Sequence, residues 1–142
     1  MVETISYLIH EVLDKVDKAK TKQEKIDILR DNDSNVMKNI LIGTFNDKIE
    51  WNLPPGDPPY QPAAAESAPS NLNRQLDQLL YFIKGNKGDS LGQIKREFMF
   101  IRLLESIHPS DAKIVLAMVA KKLPVKGLTK ALVQEAFPNL IR

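Results

Sequence analysis

The stretch "TKQEKIDILRDNDSNVMKNILIGTF", Thr21–Phe45, contains two helix starts in succession. Thr21 stands three residues before Glu24, the spacing of a capping box, in which each side chain satisfies an orphan backbone donor at a helix start. Ile26, Ile28 and Leu29 then supply an apolar side, and the pattern fades near Asn32. Ser34, a residue type strongly preferred at helix caps, opens a second helix with apolar positions at Val36, Met37, Ile40, Leu41 and Phe45. These spacings follow the helical period, so the stretch reads as two capped helices and not as strands.

The same period extends in both directions. Ile5, Leu8, Ile9, Val12, Leu13 and Val16 form one stripe and predict a helix over about 3–19. Residues 51–69 hold six of the nine prolines, which lack a donor and fix φ, so this part is an extended strap bracketed by Trp51 and Tyr60. In "SNLNRQLDQLLYFIKG", Leu72, Leu76, Leu79, Leu80 and Ile83 predict a further helix that Gly85 caps. Ser90 and Gln93 make another capping-box pair, leading into a helix over 91–107 whose stripe is Ile94, Phe98, Ile101, Leu103 and Leu104. Pro109 suits the first position of the next helix, which continues to about Lys122, and a last helix spans about 128–136. The expected fold is all-α: a single compact domain over 1–142, of about seven helices, with the proline-rich strap 51–69 after the third.

Composition narrows the function classes. With 43% hydrophobic and 27% charged residues the chain falls among soluble globular proteins. It has no cysteine, which excludes disulfides, thiolate metal sites and a cysteine nucleophile. No apolar run approaches the roughly 20 residues of a membrane span, and acids at Glu3, Glu11 and Asp14 do not suit a secretory leader. A cytoplasmic location follows, the host cytoplasm if the protein is phage-encoded, with no membrane partner. "GNKGDS" lacks the spacing of a phosphate loop. His108, before a proline, reads as a cap or turn residue, and His10 as boundary packing. No catalytic constellation, metal site or cofactor motif is found, so the expectation is a non-enzyme without a cofactor.

Charge is uneven along the chain. Residues 1–70 carry 8 Lys/Arg against 12 Asp/Glu, and residues 71–142 carry 12 against 6. A basic half of this kind suits an anionic partner. Within it, Lys113, Lys121, Lys122, Lys126 and Lys130 fall in a tract with no acid. Gly127 and Thr129 precede or open the last helix, where free N–H groups and a partial positive charge favour phosphate. The tract is therefore either a solvated lysine face or a cradle for a phosphate backbone.

The order of segments resembles the N-terminal helical DNA-binding domain of ATP-dependent DNA ligases, particularly the phage type. The residues that carry it are the Thr-Lys-Gln opening at Thr21, the loop "EWNLPPGDPP", the "KGNKGD" turn and the ending "GLTKALVQEAFPNLI". The chain is also similar to small uncharacterised proteins of tailed marine phages. The ligase resemblance implies a free-standing module that grips double-stranded DNA by its backbone without reading sequence, as in a phage accessory protein. It places Lys126, Gly127, Thr129 and Lys130, within the matched stretch Val125–Pro138, at the backbone, and the charge of the tract adds Lys113, Lys121 and Lys122 as further backbone contacts. The sequence departs from the family at Pro124, near where many such ligases carry an arginine, and it has no Lys-x-Asp-Gly motif and so no AMP-accepting lysine. The alternative is a protein-interaction module that has lost DNA binding, to which the acidic first half and the exposed "PPGDPPYQP" strap are suited.

Overall fold

A computed structural model describes residues 8–54 and 56–141. Thr21 and Ser34 both cap: Thr21 Oγ1 accepts from the Glu24 N–H at 3.1 Å, and Ser34 Oγ from the Met37 N–H at 3.1 Å. The expected box does not close, because Glu24 Oε2 accepts from the Lys20 N–H at 3.1 Å and not from that of Thr21. They open α2 (Lys22–Asp31) and α3 (Asn35–Phe45), preceded by α1 (Ile9–Lys18). Of the stripe predicted for the first helix, Ile5 lies outside the described residues, as does the rest of 3–7. Further on lie α4 (Leu72–Gln75), α5 (Gln93–Ser106), α6 (Pro109–Val119) and α7 (Lys130–Ala136). The described residues thus hold seven α-helices and no strand beyond one isolated bridge, and the all-α expectation is met.

Two predicted elements differ. The helix over 70–85 is a single α-turn, α4, continued as a 3-10 helix over Leu76–Phe82. Ile83 then leaves the helix and pairs with Trp51 as an antiparallel bridge, with the Asn52 N–H on Phe82 O and the Lys84 N–H on Glu50 O at 2.8 Å. The pairing satisfies the Asn52 N–H and Glu50 O where the chain enters the strap, and this tertiary pairing outweighs the local helical pattern. Leu80 is consequently half-exposed, and Gly85 sits two residues past the pairing at φ 86°.

The second difference is the face of α5. Its buried arc is Arg96, Phe100, Leu103 and Leu104, an i, i+4, i+7, i+8 set, while Ile94 and Phe98 are 81% and 63% exposed. Ser90 belongs to a 3-10 turn over Lys87–Ser90, and Gly92, with no capping side chain, precedes α5. Arg96 explains the rotation. Its guanidinium is buried and donates to Asn52 O at 2.8 Å, Gly88 O at 3.2 Å and Leu91 O at 3.1 Å. A buried charge needs such partners, and these three carbonyls hold the strap, the 87–90 turn and α5 together.

The core lies where α1, α2, α3, α5 and α6 converge, with Leu29, Ile40, Leu41, Phe82, Leu104 and Met118 fully buried. Phe82 and Phe100 meet edge to face at 5.2 Å, an arrangement aromatic quadrupoles favour. On the outer edge of α1 and α6 the buried Asp111 carboxylate accepts the His10 backbone N–H at 3.0 Å and contacts His10 Nδ1 at 2.6 Å. The His10 ring stacks on His108 at 4.4 Å, and His108 caps α6 by accepting from the Ser110 N–H. Both histidines therefore act in the α1–α6 joint.

Candidate nucleic-acid interface

The lysine tract begins on α6 and ends on α7. Helix α6 stops in a Schellman turn: the Lys121 N–H reaches Met118 O and the Lys122 N–H reaches Ala117 O. The left-handed position usually taken by glycine is occupied here by Lys121, at φ 63°. Its ammonium folds back onto Asn46 O at 2.9 Å. Burial pushes that ammonium below the ordinary lysine value, while Asp47 and Glu50 pull it upward. Lys130, at the start of α7, pairs with Asp47 at 3.2 Å. The end of α3 thus engages two of the five lysines.

The other three differ. Lys113, Lys122 and Lys126 are exposed, and among the described residues their ammonium groups make no hydrogen bond or ion pair. The backbone carrying Lys126 is fixed, because its N–H donates to Asp17 Oδ1 at 2.8 Å. Gly127 follows at φ 72°, a conformation that disfavours side chains, and an added Cβ would come within 3.0 Å of Lys25 Cε. Lys25 is itself buried, with its ammonium on Val16 O at 2.7 Å, where it terminates α1.

Helix α7 starts at Lys130 and not at about 128, so Gly127 lies in the preceding turn. Thr129 is the exposed cap residue, its Oγ1 accepting from the Leu132 N–H at 3.2 Å. The far end of α7 is held by Arg30, which donates to Ala136 O at 3.0 Å and Glu135 O at 2.9 Å, and by a Lys22–Glu135 pair at 2.8 Å. The result is a firm ledge over 121–130 that presents Lys122 and Lys126 outward. Asp17 and Asp47 stand beside it, and they come from sequence positions that the acid-free tract gave no reason to suspect.

Beside the ledge a groove of about 940 Å³ opens between the strap and helices α5 and α6. Trp51, Leu53, Phe100, Leu116 and Val119 line it, with Lys121 at its rim. Trp51 is anchored by its indole N–H on Gly43 O at 3.0 Å. That approach depends on a glycine in α3, since a Cβ there would lie 2.7 Å from Trp51 Cζ2 and 2.6 Å from Met118 Sδ.

Among the described residues, no cluster of three or more histidines and carboxylates could hold a metal ion, and no helix is long and apolar enough to cross a membrane. Residues 12–125 match the profile of a family described as of unknown function, DUF6433. The match includes all of α2–α6 and stops before Lys126. No curated protein matches the chain.

Proposed function

We propose that this chain, which belongs to the DUF6433 family, is a non-enzymatic module that holds a DNA phosphate backbone without reading its sequence. The observation that carries the reading is the trio of exposed, unengaged ammonium groups: Lys122 and Lys126 on a ledge pinned to α1 and α2, and Lys113 further back on α6. Cations held on a rigid backbone neutralise phosphates and release counterions, which is the main source of sequence-independent affinity. The exposed Thr129 hydroxyl keeps a donor hydrogen for a phosphate oxygen. The resemblance to the ligase DNA-binding domain supports the same reading.

The footprint is smaller than the five-lysine tract, because Lys121 and Lys130 are committed to Asn46 O and Asp47. Binding is therefore weak, in the range typical of non-specific contacts, about 10⁻⁴–10⁻⁶ M. The test is anisotropy of labelled duplexes of unrelated sequence at low salt. Equal, saturable binding in the micromolar range supports the reading; no binding at tens of micromolar removes it.

The groove favours a second reading, a protein-interaction module whose partner inserts apolar side chains against Trp51 and Leu116. Under that reading Ile101→Asp, on the groove wall, abolishes capture of a partner from nuclease-treated lysate. Under the first it leaves duplex binding intact.

A further inference from the structure

The apolar spacing of α5 predicts Ile94 and Phe98 facing inward, and the structure turns them outward. Ile94 is 81% exposed and Phe98 63%, one helical turn apart on one ridge. Lys95 precedes Phe98 by three residues and Arg102 follows it by four, so both lie on the same exposed arc. Among the described residues neither cation has a hydrogen-bonding or ionic partner. The nearby acids are turned aside: Glu105 accepts the Gln61 N–H at 2.8 Å, and Glu97 lines the groove. An aromatic face flanked along the helix by two free cations is the combination that single-stranded nucleic acid uses, with bases stacked on rings and phosphates on basic side chains.

Area and charge argue against other occupants. A standard protein interface needs about 800 Å² per partner, whereas two apolar side chains supply at most a few hundred Å². One base stacked on one ring needs no more than that. A second copy laid antiparallel across Phe98 would set Lys95 against Arg102, like charge against like.

We propose that the α5 ridge is a stacking platform for unpaired nucleotides. Phe98 receives a base face, Ile94 supports its neighbour, and Lys95 and Arg102 hold the flanking phosphates. The inference rests on the nucleic-acid reading above and adds a second bound form to the duplex held at the ledge: a strand with unpaired bases, taken through a surface distinct from 121–130 and lying within the family match.

The experiment compares labelled oligothymidylate with a blunt duplex on the whole chain, in wild type, Phe98→Leu, Phe98→Trp and Lys122→Gln/Lys126→Gln. Circular dichroism melts confirm that each variant folds. Loss of one base stack is expected to weaken single-strand binding by about 5- to 150-fold in Phe98→Leu, with Phe98→Trp near wild type and duplex binding unchanged in both. Leucine keeps apolar area and removes the π face, so single-strand binding by Phe98→Leu at the wild-type level overturns the proposal. So does the absence of oligothymidylate binding in wild type. If polyglutamate displaces the strand and its own binding falls equally in Phe98→Leu and Phe98→Trp, the ridge is a site for acidic protein and the proposal fails. If duplex binding is absent while Phe98→Leu still loses the single strand, the ledge reading fails and this one stands.

Discussion

The salt dependence of duplex binding can separate the lysines that the fold leaves free from those it engages. Each phosphate neutralised contributes about 0.9 to the slope of log K against log salt, so three free ammonium groups predict a slope of about −2.7 and all five lysines about −4.5. Lys122→Gln removes one free cation. Its slope should fall to about −1.8, and its affinity at about 0.1 M salt should drop by about eightfold, which is the contribution of one contact. Lys121→Gln should leave the slope near its wild-type value, because that ammonium already serves Asn46 O. The most informative variant is Asp47→Asn. It removes the carboxylate that pairs with Lys130 at 3.2 Å, adds a fourth free cation, and should steepen the slope to about −3.6. Anisotropy titrations at four or more salt concentrations, with melts to confirm folding, give these slopes directly. If Lys121→Gln flattens the slope as much as Lys122→Gln does, or if Asp47→Asn leaves it unchanged, the division into free and engaged lysines is wrong.

Other expectations concern the framework. Lys121→Gly should be more stable than Lys121→Ala by about 1 kcal/mol, because only glycine relieves the left-handed backbone; equal urea midpoints would contradict this. Because burial lowers the Lys121 pKa, the folded state resists its proton, and the penalty is complete below the folded value and disappears above the ordinary 10.5. Stability should therefore rise through that alkaline window in wild type relative to Lys121→Met, as measured by paired urea melts. Gly43→Ala should cost about 1–2 kcal/mol, since overpacking against Met118 and Trp51 exceeds the helix-propensity gain, and red-shifted Trp51 emission should accompany the loss. Arg96→Met should cost about 2–4 kcal/mol by stranding three carbonyls, and limited proteolysis should then cut within 51–69 faster than in wild type.

The sequence announces elements whose signals are local. Thr21, Ser34 and Pro109 each satisfy or omit a donor within their own helix, and each stands where that chemistry predicts. Elements that depend on distant partners are not announced. The helix expected over 70–85 yields to pairing between Ile83 and Trp51, and nothing in its leucine spacing encodes that pairing. On α5 two arcs are nearly equally apolar, and the buried one contains an arginine. Only the carbonyls of Asn52, Gly88 and Leu91 make that choice favourable, and the first is 44 residues away. The five lysines are legible as a cluster. Their division is not, since Asn46 lies 75 residues before Lys121 and Asp47 lies 83 before Lys130.

Arg30 bonds to Ala136 O across 106 residues of chain, and this has a kinetic consequence. Helix α7 is only seven residues long, too short to persist alone, so it waits for α2 to receive it. During synthesis at about 5–20 residues per second, α1–α3 emerge well before α7 exists. A nascent chain can form its capped helices early, but it cannot carry the lysine ledge until residues 130–136 have left the ribosome and docked. Closing so long a loop is a slow step relative to helix formation, so the ledge should be the last surface to mature in refolding.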